Sequence, residues 1–362
     1  GDLFRNPQLA ETYRVILEEG KRGFYEGELA QRIDKFMSEH GGYLSRADLV
    51  AHKSEWVDPV SVKYRGYDIF ELPPNTTGMA ALQMFKLMEG FDLSNRIEPD
   101  PESIHLMVEA KKLAFEDRAR FYADPDFNPA PIEKLLSDEY NDIRRAGISD
   151  RAANLVSAGD QFLQKGDTVY LTTADANGNM VSLIQSIFHP FGSGVVVPGT
   201  GFALQNRGLL FSMDPSHANV YAPNKRPFQT IIPAFVMHQG KPHMSFGVMG
   251  GDMQPQGHAQ VISNLLDRNM DLQAAGDALR WRHDDSTQPT DNVGDSLRDG
   301  GKLVLEKGFP ESFIEELIKR GHKVSDNDGG FGFGGYQAIM CDGKGAYIGA
   351  SESRKDGCAI GY

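Results

Sequence analysis

Residues 168–186 read TVYLTTADANGNMVSLIQS, two strand-like runs around an Asn-Gly turn. The first run covers 168–175 and the second covers 180–186, and both are rich in residues that favour strands. Residues 176–179, Ala-Asn-Gly-Asn, lie between them. Asn-Gly between two such runs indicates a β-hairpin, because both residues tolerate the positive φ angles of a tight turn. The stretch therefore predicts an antiparallel hairpin whose first residue is a threonine.

Three more antiparallel strand pairs are predicted around this hairpin. They lie at 60–72, with a turn at Arg65–Gly66, at 230–248 and at 336–348. Helices are predicted at about 7–20, 26–39, 78–88, 101–122, 255–266 and 311–320. A short helix is also predicted to start at Ser45–Asp48, which has the pattern of a capping box. Because strands and helices fall in blocks, this order favours stacked sheets with helices outside over a doubly wound sheet.

The composition is that of an ordinary globular protein. The 362 residues are 40% hydrophobic and 24% charged, with a formal net charge of −13. A chain of this length can bury its own core, and no stripe of Lys and Arg suggests nucleic acid as a partner. The uncharged apolar runs are far shorter than the roughly 18 residues of a membrane span. Cys341 and Cys358 cannot form a disulfide framework, and no Cys/His spacing indicates a zinc site.

The beginning of the chain carries no targeting information. It reads Gly-Asp-Leu-Phe-Arg-Asn-Pro, with neither an initiator Met nor a basic and apolar signal segment. Whether further residues precede Gly1 is therefore left open. The compartment stays unassigned, with the cytoplasm favoured.

Several common catalytic motifs do not occur in the sequence. There is no nucleophile elbow, phosphate-binding loop, metalloprotease helix or dinucleotide fingerprint. The glycine-rich run 329–335 lacks the Lys and the helix of a phosphate loop, so it is interpreted as a flexible turn near a site. His283-Asp284-Asp285 is interpreted as a helix end with solvated acids and not as a metal site. Neither a metal nor an organic cofactor is expected.

Thr168 is the candidate nucleophile. Residues 149–165 show no sustained periodicity and predict a mobile segment or a processing linker, which ends at Gly166-Asp167. A threonine hydroxyl becomes a good nucleophile when the residue is the first of a mature chain, since its own α-amine then acts as the base. From the residues alone an ordinary strand threonine is favoured, and the composition does not decide between the two.

Two loops are further candidates. Residues 247–252, Gly-Val-Met-Gly-Gly-Asp, would present bare backbone N–H groups suited to an oxyanion hole, or would form only a tight strand-to-helix turn. Residues 224–228, Asn-Lys-Arg-Pro-Phe, place two cations side by side, and a solvated turn is the favoured interpretation.

Five segments together carry a resemblance to the γ-glutamyltranspeptidase family. They are TVYLTTADANGN (168–179), SIFHPFGSGVVVPGTGFALQNRG (186–208), PNKRP (223–227), GVMGG (247–251) and GASESRKDG (349–357). They stand in the family's order and spacing, and the match as a whole extends over essentially the entire chain. Residues 1–167 resemble the C-terminal half of the family's large subunit, and residues 168–362 resemble a complete small subunit.

The resemblance implies an α+β fold, the four-layer αββα sandwich of N-terminal-nucleophile hydrolases. It also implies a zymogen that cleaves itself before Thr168 to give a large and a small subunit. Thr168 matches the family's nucleophile, and Gly250 and Gly251 match the oxyanion donors. Ser186 stands where the family has a threonine whose hydroxyl supports the nucleophile's amine.

The substrate-binding positions depart from the family. Members that bind a γ-glutamyl group hold its α-amine and α-carboxylate with an Asn, a Gln or Glu, an Asp and two serines. The matching residues here are Phe188, Arg207, Leu210, Gln229 and Thr230. Leu210 cannot attract an ammonium, Phe188 lacks an amide, and Arg207 adds a cation. The resemblance therefore implies a remodelled pocket, as in the cephalosporin-acylase-like and oxamate-amidohydrolase-like branches.

The sequence thus predicts an autoprocessed N-terminal-threonine amide hydrolase or acyltransferase that acts on a carboxylate-bearing acyl amide. Its expected partners are a small-molecule amide or peptide substrate and the two subunits cut from one precursor. One alternative is a true γ-glutamyltransferase or glutathione hydrolase with unusual contacts. Another is a non-catalytic binding protein that keeps the fold and is never processed.

Overall fold

The computed structural model describes residues 1–94, 100–156, 168–326 and 332–362. Its helices are α1 (Pro7–Glu19), α2 (Lys21–Tyr25), α3 (Glu28–Glu39), α4 (Arg46–Ala51), α5 (Gly78–Met88), α6 (Pro101–Phe121), α7 (Ile132–Leu135), α8 (Asp138–Arg145), α9 (Met253–Leu266), α10 (Leu272–Asp277) and α11 (Glu311–Lys319). Its strands are β1 (Val60–Tyr64), β2 (Tyr67–Glu71), β3 (Val169–Ala174), β4 (Met180–Gln185), β5 (Ala234–His238), β6 (Lys241–Met249), β7 (Trp281–Asp284), β8 (Lys302–Leu305), β9 (Val324–Asp326), β10 (Gly335–Cys341) and β11 (Tyr347–Ser351). The residues form two compact units, Gly1–Val57 with Ile187–Asn206, and Asp58–Ser186 with Arg207–Tyr362.

The first unit consists of α1 to α4 and the segment Ile187–Asn206. Helix α4 begins at the predicted Ser45–Asp48 capping box, in which each side chain bonds the other residue's backbone N–H. The segment 187–206 is attached to α1, since the Thr12 hydroxyl donates to the Thr200 carbonyl at 2.8 Å. Its core contains Ala30, Ile33, Leu49 and Val197.

A six-stranded antiparallel sheet dominates the second unit. Its strand order is β1-β2-β5-β6-β10-β11, and each neighbouring pair is antiparallel. The three strand pairs predicted at 60–72, 230–248 and 336–348 are confirmed. Strands β1 and β2 precede residue 168 and the other four follow it, so both sides of the predicted cleavage point contribute to one sheet.

The two faces of this sheet carry different layers. On β6, Met244, Phe246 and Val248 face the main hydrophobic core, which they share with Ala81 and Phe85 of α5 and with helices α6 and α9. Ser245 and Gly247 alternate with them and face the opposite way. Helices therefore cover one face of the sheet.

The predicted β3–β4 hairpin lies on the other face. Val169 pairs with Gln185 and Ala174 with Met180, and the Asp175 carboxylate accepts the N–H groups of Asn177 and Asn179 at 2.9 and 3.0 Å in the turn. Opposite β6, the hydroxyls of Thr172 and Ser245 are hydrogen-bonded. The Tyr170 ring covers Gly247, where an added Cβ would lie 2.6 Å from the ring. Any side chain at position 247 would therefore hold the hairpin further from β6.

Some expectations need correction. His283 and Asp284 belong to strand β7 and are buried, and Asp285, which follows the strand, is exposed. The stretch is therefore the end of a strand with one solvated acid and not a helix end. The amides of Gln256 and Gln260 on α9 bond the backbone of Trp281 and His283 and act as a strand partner. Helices α7 and α8 were not predicted.

The predicted linker at 149–165 is only partly described, because residues 157–167 lie outside the described ranges. Its described part is anchored. The N–H of Ala152 donates to the Arg320 carbonyl at 2.8 Å, and that of Val156 donates to Leu297 at 3.2 Å. Within the described residues, no helix is long and apolar enough to cross a membrane.

Candidate active site

Thr168 stands immediately before β3, at the end of the hairpin that approaches the end of β6. Tyr170 lies over Gly247 and Thr172 lies opposite Ser245, so β3 and β6 run in opposite directions. Two residues further along, the same spacing brings Thr168 level with Met249, the last residue of β6. The Gly250–Gly251 turn follows directly. The structure therefore brings the predicted nucleophile and the predicted oxyanion donors to one end of the two layers, and Thr168 is only 5% exposed.

Ser186 follows the last residue of β4. The register pairs Val169 with Gln185, and the next position of that register sets Thr168 opposite Ser186. Side chains of directly opposed residues in an antiparallel pair have Cβ atoms about 5 Å apart. The two predicted hydroxyl residues are thus cross-strand neighbours.

The Gly250–Gly251 turn has a backbone that glycine adopts readily. Its φ angles are 127° and 59°, both in the range that L side chains avoid. The two carbonyls accept the N–H groups of Met253 and Gln254, each at 3.1 Å, which starts α9. Among the hydrogen bonds of the described residues, none has the Gly250 or Gly251 N–H as its donor. Two amide donors at a helix N-terminus can therefore stabilise a negative oxygen.

A buried pair that the sequence did not reveal supports the strand before this turn. His258 of α9 accepts the Val248 N–H through Nε2 at 3.1 Å, and its Nδ1 lies 2.6 Å from Glu71 Oε1. Burial lowers the pKa of His258 to about 3, so the ring is neutral and Nδ1–H donates to Glu71. Burial also raises the pKa of Glu71 well above its usual range. This contact is a hydrogen bond and not an ion pair.

Four of the five predicted substrate-binding residues lie in the second unit. Arg207 and Leu210 are the first and last residues of a short 3₁₀ turn, and Leu210 packs beside the hydrophobic cluster that contains Phe228. Burial lowers the pKa of Arg207 to about 10, so this side chain stays cationic at neutral pH. Gln229 accepts the Ile231 N–H at 2.9 Å. Gln254 of α9 donates to the Thr230 carbonyl at 2.5 Å, which ties this segment to the helix that begins at the glycine turn.

Phe188, the fifth, lies in the first unit. It is buried, its ring stacks on His189 at a centroid distance of 4.5 Å, and its φ of 78° is unusual for a residue other than glycine. Its role in substrate binding stays a prediction.

The two cations of the loop 224–228 serve the fold. Arg226 Nη2 lies 3.1 Å from Asp124 Oδ1, and Lys225 donates to the Ala218 carbonyl at 2.6 Å. The interpretation as a solvated turn fits the exposed Asn224, whereas the Lys225 and Arg226 side chains are only partly exposed and are paired. Both are bound within the second unit.

One group of side chains has the composition of a metal site. His105, Glu109 and His322 are buried, and their ligand atoms lie within 4.8 Å of one another. Each is already engaged: His105 bonds His322 at 2.9 Å, and Glu109 Oε1 lies 2.7 Å from the Lys112 ammonium. Because the Glu109 carboxylate already accepts a hydrogen bond from the Lys112 ammonium, this cluster is better described as a hydrogen-bonded network than as a cation site.

Comparison with known proteins decides the family. The sequence profile described as gamma-glutamyltranspeptidase matches residues 1–362. The chain belongs to the γ-glutamyltranspeptidase family. Within it, the glutathione hydrolase-like YwrD proenzyme of Bacillus subtilis (strain 168) is 36% identical over 364 residues, which cover 100% of this chain and 66% of the relative. The acylase ACY 1 proenzyme of Pseudomonas sp. (strain SE83) is 34% identical over 353 residues, covering 97% and 60%.

A solved structure has the same architecture. Cephalosporin acylase from Bacillus halodurans superposes with a TM-score of 0.88 and 41% identity, covering 100% of this chain and 64% of that one. This match confirms the α+β class and the αββα sandwich of N-terminal-nucleophile hydrolases. The chain spans 60 to 66% of the length of these relatives.

Proposed function

We propose that the protein is an autoprocessed amide hydrolase or acyltransferase in which Thr168, once it is the first residue of a mature subunit, is the nucleophile. Its α-amine takes the proton from its own hydroxyl, and Oγ attacks the acyl carbonyl carbon. The N–H groups of Gly250 and Gly251 receive the developing oxyanion, and each good donor contributes on the order of 3 kcal/mol. The C–N bond of the substrate then breaks, and its amine leaves with the proton that the α-amine had taken up. Water, or an acceptor amine in a transferase, then attacks the resulting ester and releases the acyl group.

The observation that carries this proposal is the convergence of three elements at one point. Thr168 immediately precedes β3, Ser186 immediately follows its partner strand β4, and the glycine turn follows β6, the strand against which the hairpin packs. In this arrangement the Ser186 hydroxyl would support the amine of Thr168. The names of the relatives, a glutathione hydrolase-like proenzyme and an acylase proenzyme, agree with amide-bond chemistry after processing.

The proposed acyl group ends in a carboxylate and lacks an α-amine. Arg207 is cationic and partly buried, which favours an anionic acyl terminus. Leu210 packs among apolar side chains, so it offers no partner for an ammonium. An unpaired buried ammonium costs several kcal/mol, and each 1.4 kcal/mol is a factor of ten in specificity. Dicarboxylic mono-amides and glutaryl- or oxalyl-type amides fit these side chains.

The processed enzyme is expected to hydrolyse glutaryl-p-nitroanilide with a kcat/KM at least about tenfold above that for γ-glutamyl-p-nitroanilide. Side-by-side steady-state assays at one pH measure the ratio. Leu210→Asp should shift it toward the γ-glutamyl compound, since the new carboxylate can pair with the α-amine. Leu210→Asn is the matched control, because it adds polarity of similar size without a charge.

The competing function is γ-glutamyl transfer or glutathione hydrolysis, which the name of the Bacillus subtilis relative favours. A wild-type preference for the γ-glutamyl compound would establish it and reject the carboxylate-only acyl group. The amide chemistry of Thr168 would survive that outcome.

A further inference from the structure

Asp252 directly follows Gly251 and precedes the first turn of α9. Aspartate is a favoured N-cap because its carboxylate accepts N–H groups of the first turn, as Asp100 and Asp271 do for α6 and α10. Within the described part of the chain, the Asp252 side chain makes no such bond. Its carboxylate instead turns toward other partners.

Those partners form a closed triangle with Asp252. Arg118 Nη1 donates to Asp252 Oδ1 at 2.6 Å, and Gln288 Nε2 donates to Asp252 Oδ2, also at 2.6 Å. Arg118 Nη2 closes the triangle by donating to Gln288 Oε1 at 2.8 Å. Arg118 is fully buried, with its guanidinium 3.9 Å from the centroid of the Phe115 ring. Three distant parts of the chain therefore meet at the residue after the glycine turn.

The triangle keeps Asp252 ionised and its charge balanced. Burial alone would raise the pKa of this carboxyl, but Arg118 and the hydrogen bonds outweigh burial and hold the pKa below its ordinary value. A carboxylate without a partner here would oppose negative charge on an oxygen bound by the neighbouring glycines. Pairing with Arg118 cancels that repulsion.

We propose that the Arg118–Asp252–Gln288 triangle positions the Gly250–Gly251 N–H groups for the oxyanion, with Asp252 as a positioning residue that does not touch substrate. This inference rests on the proposed function. Two adjacent glycines are the least restrained residues of a chain, whereas catalytic donors must be held to within about 0.5 Å. An anchor on the next residue supplies this restraint.

Asp252→Asn is the direct test, since it keeps the shape and removes the charge. The new amide would face the donors of Gln288 or Arg118, so the triangle opens and the turn shifts. We expect kcat to fall about 10- to 100-fold while KM changes by less than about twofold, because misplaced donors weaken the transition state and leave substrate binding intact. Measurements use the processed wild type and variant.

The control lies at the other end of the same helix. Asp267 follows α9, is buried, and pairs with Arg65 at 2.6 Å and with the Tyr64 hydroxyl at 2.5 Å. Asp267→Asn breaks a comparable pair roughly 20 Å from the turn. It should lower the melting temperature and leave kcat unchanged. Gln288→Leu removes two of the three hydrogen bonds of the triangle but keeps the Arg118–Asp252 ion pair, so it should lower kcat less than Asp252→Asn does. This second variant keeps the test open if Asp252→Asn does not fold.

The outcomes separate this inference from the proposed function. Equal kcat values for wild type, Asp252→Asn and Gln288→Leu would overturn the positioning role, and so would equal losses in Asp252→Asn and Asp267→Asn. A wild type that is not cut before Thr168, or that hydrolyses no amide, would instead reject the function itself. A selective loss of kcat in the triangle variants supports the proposal.

Discussion

Thr168→Ala is expected to give one uncut chain in which amide hydrolysis falls by at least about 10⁴-fold. In the proposed processing step, Thr168 Oγ attacks the carbonyl carbon of Asp167, and the acyl group moves from nitrogen to oxygen. This shift breaks the C–N bond and frees the α-amine of Thr168, and water then hydrolyses the ester to release the Asp167 carboxylate and restore the Thr168 hydroxyl. Alanine has no hydroxyl for this step, and an uncut chain has no amine to act as the base. A denaturing gel and the intact mass of the full-length protein measure the outcome.

Thr173→Ala is the matched control for this experiment. Thr173 lies on the same strand and its side chain is exposed, so its loss should leave cleavage and hydrolysis unchanged. Two subunits from Thr168→Ala would show that the cleavage assignment is wrong. A wild type that stays uncut would favour the non-catalytic binding protein of the same fold.

Local signals in the sequence were sufficient for most elements of the fold. The Asn-Gly turn and the β-rich runs predicted the β3–β4 hairpin, which the structure places one residue inside the predicted ends. Ser45 and Asp48 predicted the start of α4 because a capping box satisfies the first N–H groups locally. Helix α8 also had a local signal that was not used: Ser137 caps it by accepting the Tyr140 N–H at 3.3 Å.

Contacts between distant residues account for what the sequence could not supply. The triangle joins Asp252 to Arg118, 134 positions away, and His258 bonds Glu71 across 187 positions. Neither pair has a spacing that identifies it. Strand β7 also depends on contacts between distant residues. The side chains of two glutamines on α9 accept its backbone N–H groups, a role that a neighbouring strand usually fills.

The same distinction between local signals and long-range contacts applies to the candidate site. The order of Thr168, Ser186 and the glycine pair follows from motifs, and the hairpin register then explains why the two hydroxyl residues are neighbours. That the hairpin lies on β6 depends on the absence of a side chain at Gly247 beneath Tyr170. A glycine in a strand indicates a close approach of some group, but it does not say which group approaches.

Gly251→Val is expected to fold, yet to lose at least about 100-fold in kcat/KM. The φ of Gly251 is 59°, a conformation in which a β-branched residue is strained by about 1–3 kcal/mol, so the turn relaxes and its N–H groups leave the oxyanion position. Gly240→Val is the control: Gly240 precedes β6 at its opposite end, has a φ of 75°, and an added Cβ there meets no atom within 4 Å. It should carry similar strain and keep full activity. Both variants are compared by thermal melting and by steady-state hydrolysis of the preferred anilide. Full activity in a folded Gly251→Val enzyme would show that this turn is not part of the active site. Asp252 would then have no oxyanion donors to position.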